Sequence, residues 1–94
     1  MAAVMTNSAA NFQKVVLVEY PRKDMWSLAF LTNEDTSDFE FKTDEDLVAV
    51  YVPTTPNPTS GYIVLVPKQD IRQVSLTAEQ SIKWIISLGI INPK

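Results

Sequence analysis

Few side chains in this sequence could act as an acid, a base or a nucleophile. The chain contains no histidine and no cysteine, which removes thiolate nucleophiles, Cys/His zinc sites and the commonest general base. Glu19 lies alone in an apolar run with no partner acid, and Ser60 has no histidine to activate it. We therefore expect that the chain is not an enzyme and has no catalytic residues, no metal site and no cofactor.

The acidic stretch between residues 33 and 46 is the second group of candidate ligands. Seven of the eleven acidic residues lie there, and carboxylates are preferred ligands of calcium. The stretch lacks both the central glycine and the ligand spacing of an EF-hand loop. We interpret it as a solvated acidic loop. Alternation of apolar and polar residues at 39–42 predicts a short edge strand inside it.

A proline-rich loop between two apolar runs is the most distinctive stretch of the chain. Each proline fixes its own φ and pushes the preceding residue towards extended conformations, so the loop should be stiff. It is either a rigid connection whose hydroxyls satisfy nearby backbone groups, which is the commoner case, or a docking or ligand-binding loop. Its candidate binding residues are Pro53, Thr54, Thr55, Pro56, Asn57, Pro58, Thr59, Ser60 and Gly61.

Several strands must position this loop. Valine-rich and aromatic runs predict strands, and the prolines and polar clusters between them predict turns, with an antiparallel hairpin closing over residues 21–24. The two tryptophans, Trp26 and Trp84, are expected in the core. Strands are predicted over residues 14–20, 25–32, 47–52 and 62–66, with a weaker strand within 71–76.

One clear helix follows the strands. Thr77 with Gln80 three residues later is a capping-box pattern, and Gly89 is a natural C-terminal cap, so the helix is predicted over 77–88. Ile85 and Ile86 should face the core, in a stripe with Ala78 and Ile82. The fold class is therefore α+β. We expect a curved, mainly antiparallel sheet of four to six strands, or a partial barrel, with one C-terminal helix.

Length and charge limit the domain organisation and the partners. Ninety-four residues form one modest core, which we place at 13–93, with a frayed or disordered N-terminus at 1–12. A net charge of −3 with scattered basic residues argues against nucleic acid as a partner. No apolar stretch approaches the length of a membrane-spanning helix, and no signal peptide is visible. The chain as given is therefore expected to be soluble.

The apolar character of both faces of several predicted strands indicates a protein partner. Residues 15–18, 47–52 and 62–66 of the predicted strands are apolar on both faces, which requires cover on both faces of the sheet. A single short helix covers one face. Either the sheet closes on itself as a barrel, or a second molecule covers the other face. We expect a protein partner or self-association.

Three stretches resemble one known family. VVLVEYPRKDMWSLAFLT (15–32), VPTTPNPTSGYIVLVP (52–67) and SIKWIISLGI (81–90) are similar to a family of uncharacterised membrane proteins, domain of unknown function 502. The family includes the plant continuous-vascular-ring (COV) and COV-like proteins and bacterial relatives. The resemblance covers about residues 12–93, and PTTPNPTSG is its most specific part. Where the family's YPRKG and SxGF patterns have glycine, this chain has Asp24 and Ala29.

The resemblance implies a location but no catalytic residues. Relatives carry hydrophobic segments before this region, so contact with a membrane is expected only through segments absent from this chain. The implied full-length form is membrane-anchored, with this domain expected on the cytoplasmic side in bacteria. The function expected is that of a non-enzymatic interaction or regulatory module. The alternative is a small-molecule-binding or enzymatic domain that uses the loop at 53–61.

Overall fold

The chain forms an open five-stranded antiparallel sheet with a helix on one face. The structure is a computed structural model that describes residues 14–39 and 46–94. The expected α+β class and C-terminal helix are confirmed, and the sheet is not closed into a barrel. The sheet order is β4-β3-β2-β1-β5. The strands are β1 (Lys14–Glu19), β2 (Trp26–Asn33), β3 (Leu47–Pro53), β4 (Gly61–Pro67) and β5 (Arg72–Gln73).

The predicted β1–β2 hairpin forms, and a side chain fixes its turn. Asp24 has a φ of 72°, in the left-handed region that favours glycine. Aspartate tolerates the conformation better than most residues, and its backbone N–H donates a 2.8 Å hydrogen bond to the Glu19 carboxylate. Glu19 is therefore engaged in the turn.

The acidic stretch is described only in part. A 3-10 helix spans Ser37–Phe39, so Phe39 does not belong to the predicted edge strand, and residues 40–42 lie outside the described residues. Glu34 pairs with Lys68 at 3.2 Å and with Lys14 at 3.5 Å. A hydrogen bond from Lys68 and the two positive charges lower the pKa of the Glu34 carboxyl. One of the seven acids therefore ties β1 to the residue that follows β4.

The two faces of the sheet carry two separate core layers. One face, which we call the valine face, carries a layer of eight buried side chains. Tyr20, Val64 and Ile71 pack against this layer and are partly exposed. The opposite face, which we call the helix face, contains Val15 and Phe30, and the side chains of the helix pack against them. Most of the side chains expected to need an outside cover are buried or half-buried within the chain, whereas Tyr62 and Ile63 on β4 are 59% and 64% exposed. The buried residues of the valine face are Val16, Val18, Ala29, Leu31, Val48, Val50, Val52 and Val66.

The helix is shorter than predicted. Helix α1 spans Ala78–Ile86. The capping box is confirmed in both directions, because Gln80 N–H donates to Thr77 Oγ1 at 3.0 Å and Thr77 N–H donates to Gln80 Oε1 at 2.9 Å. Ile85 is 5% exposed and lies in the core as predicted. The same prediction for Ile86 was wrong, since that side chain is 54% exposed.

The helix ends in a Schellman motif with an unusual residue. The Gly89 N–H donates to the Trp84 carbonyl and the Leu88 N–H to the Ile85 carbonyl, at 2.9 and 3.1 Å. This bonding pattern makes Leu88 the first residue beyond the cap, a position that glycine usually takes. Leu88 has a φ of 62° and Gly89 a φ of 79°. Gly89 is therefore the second residue of the motif, one position later than its predicted role.

Candidate functional site

Three of the four hydroxyls of the proline loop, residues 53–61, are engaged in the loop itself. The Thr54 hydroxyl lies 2.8 Å from the carbonyl of Asn57, 2.9 Å from that of Ser60 and 2.7 Å from the Ser60 hydroxyl. The Asn57 side-chain oxygen accepts hydrogen bonds from the Thr59 N–H at 3.2 Å and the Thr59 hydroxyl at 2.6 Å. These contacts order the loop, as local side chain–backbone bonds do in turns.

Two residues of the strands that flank the loop, Tyr51 in β3 and Gly61 in β4, fix its shape. The Tyr51 hydroxyl donates a 2.7 Å hydrogen bond to the Pro58 carbonyl at the loop tip, and burial raises the pKa of Tyr51. Gly61 begins β4 opposite Pro53, and a Cβ built at Gly61 would lie 2.2 Å from the Val52 carbonyl oxygen. A side chain at that position would push the strands apart. The glycine is therefore required by the close approach of two backbones.

The loop is also tied to the helix. The Thr55 hydroxyl donates to the carbonyl of Ile85 near the helix C-terminus. Pro56 follows Thr55 through a cis peptide bond and is exposed. Because the bond reaches across thirty residues of sequence, no local pattern could have shown it.

A groove opens where the loop, the helix end and the start of β2 meet. We call it the loop–helix groove. Its volume is about 250 Å³. Only Pro53 and Thr55 of the nine predicted binding residues line it; the others lie elsewhere on the loop. The lining residues are Trp26, Ser27, Leu28, Val52, Pro53, Thr55, Trp84, Ile85, Leu88 and Gly89.

Both tryptophans belong to this groove, so the expectation that they are core residues was wrong for Trp26, which is 46% exposed. Trp84 is partly buried, and Gly89 passes close to its ring, where a Cβ would lie 3.3 Å from Cζ2. The Arg72 guanidinium lies over the Trp26 ring, 5.7 Å from its centroid, within cation–π distance. A cation therefore lies against one of the two aromatic side chains that line the groove.

Apolar side chains continue beyond the groove. Leu88 lines it and is 59% exposed, and Ile90 and Ile91 follow on the exposed C-terminal tail. The Ile91 N–H donates to the Ser87 hydroxyl at 3.0 Å, which anchors the tail beside the helix end. Of these three exposed side chains, only that of Leu88 belongs to the groove lining.

A second cavity of about 500 Å³ brings together Glu19, Lys23 and Asp70. The Glu19 carboxylate accepts the Asp24 N–H described above. Among the described residues, no group of three or more acidic side chains is placed to hold a metal ion. Glu19 was predicted to be an isolated carboxylate. Its position in one cavity with Asp70 was not predicted from the sequence.

The sequence belongs to the protein family of unknown function DUF502, whose family model matches residues 1–60. Two plant proteins are similar over a longer stretch. Protein LIKE COV 1 and Protein CONTINUOUS VASCULAR RING 1, both from Arabidopsis thaliana, are each 29% identical over 83 residues, 88% of this chain. The chain spans 32% and 30% of their respective lengths.

No solved structure matches the chain. In the parts of the chain that the structure describes, no helix combines the length and apolar character needed to cross a bilayer.

Proposed function

We propose that this domain is a non-enzymatic interaction module whose loop–helix groove receives an apolar side chain from a segment of a partner protein. The groove is lined mainly by aromatic and aliphatic side chains, and the hydroxyl of Thr55 in its wall already donates to the helix. An apolar side chain suits such a lining, because it leaves no polar group unsatisfied.

The main support for this proposal is the backbone conformation and the exposure of Leu88. A non-glycine residue in the left-handed region costs about 1–2 kcal/mol, and Leu88 adopts it with more than half of its side chain exposed. Folding alone favours glycine at this position of a Schellman motif. A leucine that is conformationally unfavourable, exposed and in the groove wall is better explained by a contact made in a complex.

The composition supports a non-enzymatic role. The sequence has no histidine or cysteine, and the hydroxyl of Ser60 lies 2.7 Å from that of Thr54 within the loop. A hydroxyl without a neighbouring base is a poor nucleophile. The resemblance described in the sequence analysis implies a membrane-anchored family, and it adds the proposal that segments outside this chain hold the module at a membrane.

The alternative is a small-molecule site that uses the proline loop, and it has weaker support. Small-molecule pockets usually enclose about 300–1,000 Å³, and the groove beside the loop is smaller. The hydroxyls that would orient a ligand are already bonded, either within the loop or, for Thr55, to the helix. The second cavity is large enough, yet it is lined by Glu19, Lys23 and Asp70 and by none of the loop residues.

Intrinsic fluorescence can test the proposal directly. The chain has two tryptophans, and both line the groove, so the whole tryptophan emission reports on it. We would titrate the protein with an array of peptides bearing aromatic or branched aliphatic residues. The expected result is a blue shift of the emission and saturable binding. The variant Leu88→Gly should weaken binding by about tenfold, the loss expected when one leucine contact is removed.

Ile90→Gly is the matched control, because Ile90 is an exposed apolar residue outside the groove lining. It should bind as the wild type does. Equal losses in the two variants would show that the groove is not the docking site. A small-molecule library that shifts the emission, with no peptide that does so, would favour the alternative.

A further inference from the structure

The two edges of the sheet differ in how well they are protected from pairing. On one side the edge strand is β5, which has two residues, one of them Arg72. On the other side the edge strand is β4, Gly61–Pro67, which has seven residues and no charged side chain. Natural sheets protect long edges with charges, internal prolines or bulges. Strand β4 has none of these, because its register with β3 is unbroken and its proline is the last residue.

The direction of the backbone groups of β4 follows from the hydrogen bonds at its ends. Thr54 N–H donates to the Ser60 carbonyl, and Lys68 N–H donates to the Asp46 carbonyl, both at 2.8 Å. In an antiparallel pair the bonded positions alternate. The even-numbered residues therefore pair with β3, and the outward-facing groups belong to Gly61, Ile63 and Leu65.

None of these outward-facing groups is bonded to another described residue. Within the part of the chain that the structure describes, Gly61, Ile63 and Leu65 have no hydrogen-bond partner on that side. The side chain of Ile63 is 64% exposed, that of Leu65 is half-buried, and Tyr62, the neighbour of Ile63 on the other face, is also exposed. Strand β4 thus offers backbone donors and acceptors and apolar side chains at the same edge.

We propose that β4 pairs antiparallel with β4 of a second copy of this chain, about a two-fold axis at Ile63. In this register Gly61 lies opposite Leu65 of the other copy, and Ile63 lies opposite its own counterpart. All outward N–H and C=O groups of these three residues are then bonded. The two sheets join into one continuous sheet.

The strand's own sequence makes a second copy the fitting occupant. Two-fold pairing places identical strands together, and β4 contains no charge that would face its like. Tyr62 meets Val64 on the valine side, and the two Ile63 side chains bury each other on the helix side. A register with its axis at Val64 is poorer, because it puts Pro67, which has no N–H, opposite Gly61. The pairing uses no groove-lining residue and is independent of the function proposed above.

Sedimentation velocity over a range of concentrations, up to about millimolar protein, tests this pairing. The full chain should show a reversible monomer–dimer equilibrium. Ile63→Lys places two like charges opposite each other and should weaken the dimer by about tenfold or more. Ile86→Lys is the matched control, since Ile86 is similarly exposed but lies on the helix. It should leave the equilibrium unchanged.

Amide hydrogen exchange of the wild type gives a second measurement that does not depend on a variant folding. The amides of Ile63 and Leu65 should become protected as the concentration rises through the dimerisation range, while the chain remains folded throughout. A strictly monomeric chain would overturn the proposal, as would a dimer insensitive to Ile63→Lys. Protection of these two amides in the monomer would also overturn it, because the edge would then be covered by another part of the chain.

Discussion

Replacing Ile85 with alanine should remove much of the stability of the domain. Ile85 is buried in the helix-face layer with Val15 and Phe30, where α1 meets the sheet. The change deletes three carbon atoms, and each buried methylene contributes about 0.8 kcal/mol. The transfer term is therefore about 2.4 kcal/mol. The residual cavity brings the expected loss to about 3 kcal/mol, within the usual range of about 2–5 kcal/mol for such changes.

Equilibrium unfolding in urea, followed by tryptophan emission and far-ultraviolet circular dichroism, measures this loss. Small proteins lose about 1–3 kcal/mol of stability per molar urea, so the midpoint for Ile85→Ala should fall by about 1–3 M. Coincident transitions from the two signals would support a two-state analysis. The tryptophan signal is informative because Trp84 lies on the same helix.

Ile86→Ala is a matched control that makes the same chemical change one residue away. Ile86 is mostly exposed, so its loss should cost less than about 1 kcal/mol. Equal midpoints for Ile85→Ala and the wild type would refute the docking of α1 through Ile85. Equal losses in the two alanine variants would refute the assignment of the buried face of the helix.

Two further predictions concern the contacts that hold the proline loop. Thr55→Val removes the hydrogen bond to the Ile85 carbonyl and should cost about 1 kcal/mol. It should also speed proteolytic cleavage within 53–61, and unchanged cleavage would contradict the role of Thr55 as the tie to the helix. Burial raises the pKa of Tyr51 in the folded state above its ordinary value of 10.0. The neutral Tyr51 hydroxyl therefore makes its full contribution to the free energy of unfolding below pH 10, and this contribution is lost as the pH rises beyond that value. Tyr51→Phe should show a shallower fall in urea midpoint between pH 9 and about 11 than the wild type, and parallel curves would contradict this assignment.

Local sequence patterns were sufficient for four strands and for the start of the helix. The valine-rich and aromatic runs predicted four strands to within a residue or two, because β-branched and aromatic residues suit a pleated, buried strand. The pair Thr77 and Gln80 gave the start of α1 for a similarly local reason. Family membership was also visible in the sequence and is confirmed by the family match.

The helix end shows where local patterns stop being sufficient. Ile85 and Ile86 are adjacent and identical in type, so a helical stripe wide enough to include both cannot tell which one is buried. The docking angle of α1 on the sheet decided that Ile85 faces the core. The glycine predicted the end of the helix to within one residue. The hydrogen bonds show that Leu88, and not Gly89, is the first residue beyond the helix cap.

The loop–helix groove was decided by tertiary structure alone. Trp26 and Trp84 belong to different elements and were expected in the core, since large aromatic residues usually are. They meet because the start of β2 and the end of α1 reach the same end of the sheet, where the Thr55 hydroxyl ties the loop to the helix. The sequence determined a stiff loop between two strands. Only the packing of distant elements determined which of its residues face a groove, because contacts across that distance in sequence leave no periodic pattern in the chain.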